Sequence, residues 1–217
     1  MKFYLYSNVL CQGASGSGKT SFIKRIIEER NHMFFKVPSK IIFIYSIYQS
    51  IYDEIAKMAD DIVFIRYIPN ENDLHEMVKD IDHALLIIDD MVNQIGDSES
   101  VASLFVKNSH HMKITTFVLL QSSNLSGRKY GSEIVRNAHY TILFRGGQMA
   151  HVVRSLGTRI NDHSNLLSAY KQATSRGTFS YLCVNTHPRA KELEKYSTDI
   201  LHSEQPTILF IQPGDVA

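Results

Sequence analysis

The sequence predicts an α/β fold, a mostly parallel central sheet flanked by helices. Three observations predict it. Short runs that are apolar at nearly every position recur along the chain, as strands covered on both faces require. Amphipathic helical patterns lie between those runs, the alternation that builds right-handed βαβ units. A glycine-rich loop joins the first run to the first helical pattern.

The strand-like runs cover residues 8–12, 40–45, 62–66, 84–88, 114–120, 140–144 and 179–184, with 208–211 as a terminal edge. Residues 20–30 place Phe22, Ile23, Ile26 and Ile27 on one helical face and charged side chains on the other. Residues 72–79 and 99–107 carry similar spacing. No repeat, low-complexity tract or linker interrupts this order, so one domain over 1–217 is expected. In such a sheet the loops at the carboxyl ends of the strands hold the ligand.

Composition narrows the classes of function. With 44% hydrophobic and 21% charged residues the chain has an ordinary globular composition with no sign of disorder. No apolar run approaches the roughly 20 residues of a membrane span. The opening Met1-Lys2-Phe3-Tyr4-Leu5-Tyr6 is too short and polar-interrupted for a secretory leader, so a soluble protein is expected. Cys11 and Cys183 are too few for a disulfide framework or a metal site; both are expected as small buried residues in a reducing, intracellular setting.

The net charge of +1 hides an asymmetry. Residues 1–106 hold 10 Lys+Arg against 15 Asp+Glu, and residues 107–217 hold 13 against 7. Between Lys107 and Arg176 ten basic residues meet only Glu133 and Asp162. That distribution fits a polyanion such as nucleic acid, although a merely solvated surface gives the same count.

The loop Gly13-Ala14-Ser15-Gly16-Ser17-Gly18-Lys19-Thr20, followed by Ser21, satisfies G-x-x-x-x-G-K-[ST] between a strand and a helix. Inward-pointing backbone N–H groups and the positive end of the helix dipole bind phosphate there. Lys19 is expected to reach the β- and γ-phosphates of ATP, and the Thr20 hydroxyl to ligate Mg²⁺. The apolar run Leu85-Leu86-Ile87-Ile88 ends in Asp89 and Asp90. Asp89 is the expected second metal-side ligand. Asp90 is expected on the opposite side of the pleat, toward the γ-phosphate, as the group that orients or deprotonates water, with helix capping as the alternative. The run 114–120 ends in Gln121, whose amide suits a γ-phosphate sensor or a plain turn residue. Arg128, Lys129, Arg136 and Arg145 follow, candidates for an arginine given to a neighbouring subunit's site, for DNA contacts, or for plain surface charge. The adjacent His110 and His111 lack ligand partners at metal-binding spacing and read as structural.

Taken in order, these residues resemble the genome-packaging ATPases of the FtsK/HerA superfamily, in the branch of poxvirus-type enzymes and Maverick/Polinton and adintovirus elements. The resemblance runs from about Gly13 to Ile200. Besides the loop and Asp89-Asp90, it includes Tyr45-Ser46-Ile47-Tyr48-Gln49-Ser50-Ile51-Tyr52, similar to the family's Y-x-x-x-Q-x-x-Y. It also includes Leu104 to His111 ahead of the glutamine-tipped strand, Ser123-Asn124, Asn137-Ala138-His139-Tyr140, and Ala169 to Thr174 leading to Gly177 and Tyr181-Leu182. Two departures stand out. Arg145 is followed by Gly146-Gly147 where the family has Arg-Asp, and the family's arginine after the sensor strand has only Arg128 and Arg136 flanking its place.

The resemblance implies a RecA/FtsK-like P-loop domain that uses ATP and Mg²⁺ to move double-stranded DNA into a capsid. It further implies a homo-oligomeric ring, a pentamer or hexamer, with Gln121 as sensor and Arg128 or Arg136 acting on the next protomer. Capsid or portal-vertex proteins are the implied partners. The implied place is inside the host cell, cytoplasm or nucleus, at virus assembly sites and with the virion. Two other classes fit the phosphate loop: a monomeric P-loop kinase acting on a small molecule, and a nucleotide-gated assembly switch with negligible turnover.

Overall fold

In the computed structural model, which describes residues 1–121, 125, 127–147 and 149–211, nine strands form one sheet. They are β1 (Asn8–Gln12), β2 (Lys40–Tyr45), β3 (Ile62–Ile65), β4 (Ala84–Asp89) and β5 (Ile114–Leu120). β6 (Tyr140–Phe144), β7 (Tyr181–Asn185), β8 (Tyr196–Thr198) and β9 (Ile208–Leu209) complete it. The spatial order is β3-β2-β4-β5-β1-β6-β7-β8-β9. Pairings from β3 through β6 are all parallel, and β7, β8 and β9 add antiparallel. The expected mixed α/β fold with a mostly parallel central sheet is therefore what the chain adopts.

Continuous apolarity in the strands becomes two-sided burial, because successive side chains leave opposite faces of a pleat. Val9, Ile41, Phe43, Leu85, Ile87, Phe117 and Leu119 enter one core. Their immediate neighbours Leu10, Ile42, Ile44, Leu86, Ile88, Val118 and Leu120 enter the other. Helix α1 (Lys19–Glu28) covers the first core with the predicted face Phe22, Ile23, Ile26 and Ile27. Leu74 and Val78 of the helix Glu71–Val78, with Val101 and Ala102 of Glu99–Ser103, cover the second. A third cluster packs the helices Ala150–Arg159 and His163–Thr174 against Leu143, Leu182 and Val184.

Several boundaries differ from the sequence pattern. The run 99–107 is a helix only to Ser103; Leu104–Asn108 opens into a π-helical turn. Asn8 meets the chain there: its side-chain amide donates to the carbonyl oxygens of Leu104 and Phe105, both at 3.3 Å, a side chain reaching the helical ladder where it widens. The run 62–66 stops at Ile65, and β4 extends one residue further than expected, to Asp89. β7 begins at Tyr181, so Phe179 lies outside the strand that was expected to contain it. β8 is three residues long, too short to leave a period in the sequence. Ser123 and Asn124 lie outside the described residues. Both cysteines are free and buried. Among the described residues no helix is long and apolar enough to cross a membrane.

Candidate nucleotide and metal site

Strand register assembles the site. β5 lies between the loop-bearing β1 and the aspartate-bearing β4, with Gln12 opposite Leu120 and Asp89 opposite Leu119. The Gly13 N–H donates to the Leu120 carbonyl at 3.2 Å. The phosphate loop, the two aspartates and Gln121 thus reach the same end of the sheet, the carboxyl end of its parallel strands.

The loop has the shape its glycines permit. A Cβ on Gly13 would stand 2.5 Å from the Ser17 Oγ and 2.7 Å from the Phe144 Cβ, too close for any side chain. Gly18 caps α1 with φ 101°, a backbone conformation that side chains resist. The first turn of α1 holds no acidic residue, which leaves its positive end to an incoming anion. The Lys19 Nζ donates to the carbonyl oxygens of Gly13 and Ala14 at 2.8 and 2.9 Å. Burial lowers the Lys19 pKa, against the opposing pull of Asp89 and Asp90. Among the described residues the buried Ser17 Oγ has no hydrogen-bond partner.

On the metal side, the Thr20 Oγ1 donates to the Asp89 Oδ2 at 3.1 Å. The Tyr52 hydroxyl donates to the same oxygen at 3.0 Å. Asp89 is 3% exposed, and burial raises its pKa while the two hydroxyls and Lys19 oppose the rise. A hydroxyl and a carboxylate side by side form the hard oxygen pair that Mg²⁺ takes when phosphates and waters supply its other ligands. These residues fit an ATP–Mg²⁺ complex.

Asp90 departs from the pleat-based expectation. β4 ends at Asp89, and Asp90 takes a left-handed φ of 55°, so a turn and not the pleat aims its side chain. The Ser46 Oγ holds the Asp90 carbonyl at 2.9 Å, and the Gln121 Nε2 donates to the Asp90 Oδ2 at 2.9 Å. Ser15, Gly16, Gly18, Lys19, Thr20, Ser21, Asp89, Asp90 and Gln121 all line one cavity of about 290 Å³.

The arginines stand elsewhere. Arg128 pairs with Asp97 at 3.4 Å and donates to Asn93. Arg136 is the exposed last residue of the helix Gly131–Arg136, where its Nε donates to the Ser132 carbonyl at 3.2 Å. Neither lines the cavity of its own chain. His110 packs edge-on against Tyr6 at 5.6 Å, a structural contact.

Four further residues line the cavity: Gln49, Ser50, Ile51 and Phe179. The Y-x-x-x-Q-x-x-Y stretch contained the first three and Tyr52, but nothing in its spacing gave Tyr52 a carboxylate partner. Phe179 carries no signal in the sequence beyond its place at the start of the strand-like run 179–184.

No protein-family model matches the chain, and no curated protein matches it. Among solved structures, the chain is similar to the flagellar accessory protein FlaH from Methanocaldococcus jannaschii. The identity is 11% and the TM-score 0.47, over 89% of this chain and 84% of that one. The functional reading rests on the site itself.

Proposed function

We propose that the chain hydrolyses ATP with Mg²⁺ and, as a homo-oligomeric ring of five or six copies, drives double-stranded DNA into a capsid. One observation carries the hydrolase reading. A phosphate loop, the Thr20–Asp89 pair and the Asp90–Gln121 pair line a single cavity.

The residues divide the work. Backbone amides at the start of α1 and Lys19 bind the β- and γ-phosphates. Thr20 and Asp89 hold Mg²⁺, which when bound neutralises phosphate charge. Asp90 would accept a proton from the attacking water or orient it, and Gln121, whose amide donates to the Asp90 carboxylate, would hold that carboxylate in place. Water is the acceptor that this carboxylate–amide pair suits best, which favours a hydrolase over a kinase.

The DNA and capsid part is supported by the sequence resemblance and by surface charge. Lys107, Arg136, Arg145, Arg154 and Lys171 are exposed and make no ion pair among the described residues. Phosphate contacts of that kind are independent of base sequence and weaken with salt. Arg136 and Arg128, outside their own cavity, are the arginines proposed to act on the next protomer. Capsid or portal-vertex proteins are the proposed partners, at assembly sites within the host cell.

The test is phosphate release from ATP with and without double-stranded DNA, at low and moderate salt, alongside Lys19→Ala. DNA stimulation that salt weakens and the variant abolishes is expected. Release indifferent to DNA keeps the hydrolase and rejects the translocase; a phosphorylated small molecule reveals a kinase; tight ATP binding without release reveals a switch.

A further inference from the structure

Phe179 is 65% exposed and stands at the phosphate loop. A Cβ placed on Gly18 would lie 3.2 Å from its ring. The ring therefore rests over the residue that caps α1. It forms part of the wall of the phosphate cavity and also of a second cavity, about 210 Å³, that shares Gly18 and Ser21 with the first.

The second cavity has a different lining. Phe22, Phe144 and Tyr181 supply aromatic walls, and Arg25 and Glu204 close it as an ion pair at 2.7 Å. The Glu204 carboxylate also accepts from the hydroxyl of Tyr181, so the polar wall is held in place by the same aromatic side chain that helps form the floor. Its volume of about 210 Å³ is well beyond that of a single water site. An aromatic pocket with a few fixed polar groups is the usual form of a site for a flat, partly polar ligand.

We infer that this second cavity receives the base of the nucleotide, with Phe179 as its stacking platform. The inference rests on the reading of the first cavity as a triphosphate site. Gly18, Ser21 and Phe179 line both cavities, so a ligand held by its phosphates at Gly18 and Lys19 has the second cavity directly beside it. A base seated there covers the exposed ring of Phe179. Every base has a π-face, so the platform contributes affinity for nucleosides as a class, and the Arg25–Glu204 wall meets the base edge or the ribose.

The experiment compares binding of ATP and of inorganic tripolyphosphate, each with Mg²⁺, by calorimetry. The proteins are the full chain, Phe179→Ala, Phe179→Trp and Lys19→Ala. Phe179→Ala is expected to weaken ATP about ten-fold, the scale of one base–aromatic stack, and to leave tripolyphosphate within about two-fold. Phe179→Trp retains ATP affinity, which separates a stacking surface from a merely space-filling one. Lys19→Ala weakens both ligands. Unchanged ATP affinity in Phe179→Ala overturns the base site, as does an equal loss for ATP and tripolyphosphate, while the triphosphate reading survives. Failure of the full chain to bind either ligand overturns both readings.

Discussion

Gln121 donates a hydrogen bond from its Nε2 to the Asp90 Oδ2 at 2.9 Å, linking the tips of two neighbouring parallel strands. The two side chains were separate candidates in the sequence, one a base and one a sensor. In the structure they form one unit, so a change at the γ-phosphate that moves either is felt by the other.

The first prediction follows from that pairing. Asp90→Asn should slow single-turnover phosphate release by about 10²–10⁴-fold while ATP affinity stays within a few-fold. Because paired residues are non-additive, Asp90→Asn with Gln121→Ala should be little slower than Asp90→Asn alone. Multiplying losses in the double variant would show two independent roles.

Tyr52 is predicted to act through Asp89. Tyr52→Phe removes one of the two hydroxyls on the Asp89 Oδ2. Loss of such a supporting hydrogen bond typically costs about 10–100-fold in metal affinity. The Mg²⁺ concentration for half-maximal phosphate release should therefore rise at least ten-fold, with the rate at saturating Mg²⁺ much less affected. An unchanged Mg²⁺ titration would falsify the role.

Gly18 is predicted to be irreplaceable on backbone grounds. At φ 101°, with the Phe179 ring 3.2 Å from a new Cβ, Gly18→Ala is strained twice. The cost should be about 1–3 kcal/mol in denaturant unfolding, with ATP binding weakened as well. Gly147→Ala, where a Cβ meets nothing within 4 Å, is the control and should change stability little.

His139 predicts a pH dependence of stability. Burial, reinforced by His187 and His110, lowers its pKa from 6.5 to about 4, and its Nδ1 accepts from the Asn8 N–H at 3.0 Å. Between those two values the unfolded chain binds a proton that the folded chain does not. His139 therefore contributes stability that is present above pH 6.5 and is lost as the pH falls toward 4. His139→Asn retains an acceptor for Asn8 and removes the titration. Its melting temperature should fall less than that of the unmodified chain between pH 7 and pH 4.5; parallel falls would assign the acid sensitivity to other groups.

The sequence by itself determined the elements whose signals are local. The phosphate loop, the face of α1 and the six parallel strands follow from glycine spacing and apolar runs, because a residue's neighbours in sequence are also its neighbours in those structures. Asp89 and Gln121 were legible for the same reason, as polar residues ending buried strands. Tertiary structure alone decided what depends on register. It placed β4 between β2 and β5, which brings Tyr52, from the helix after β2, to Asp89 and Gln121, from the end of β5, to Asp90, across 37 and 31 residues of chain. It moved Phe179 out of β7 and onto the phosphate loop, since the strand's start is set by pairing with β6 and not by hydrophobicity. It also set a π-turn at Leu104 inside a helical run, where an asparagine 96 residues away bonds the Leu104 carbonyl. Local patterns carry no information about such partners, because the contact energies that choose them arise only when distant strands lie side by side.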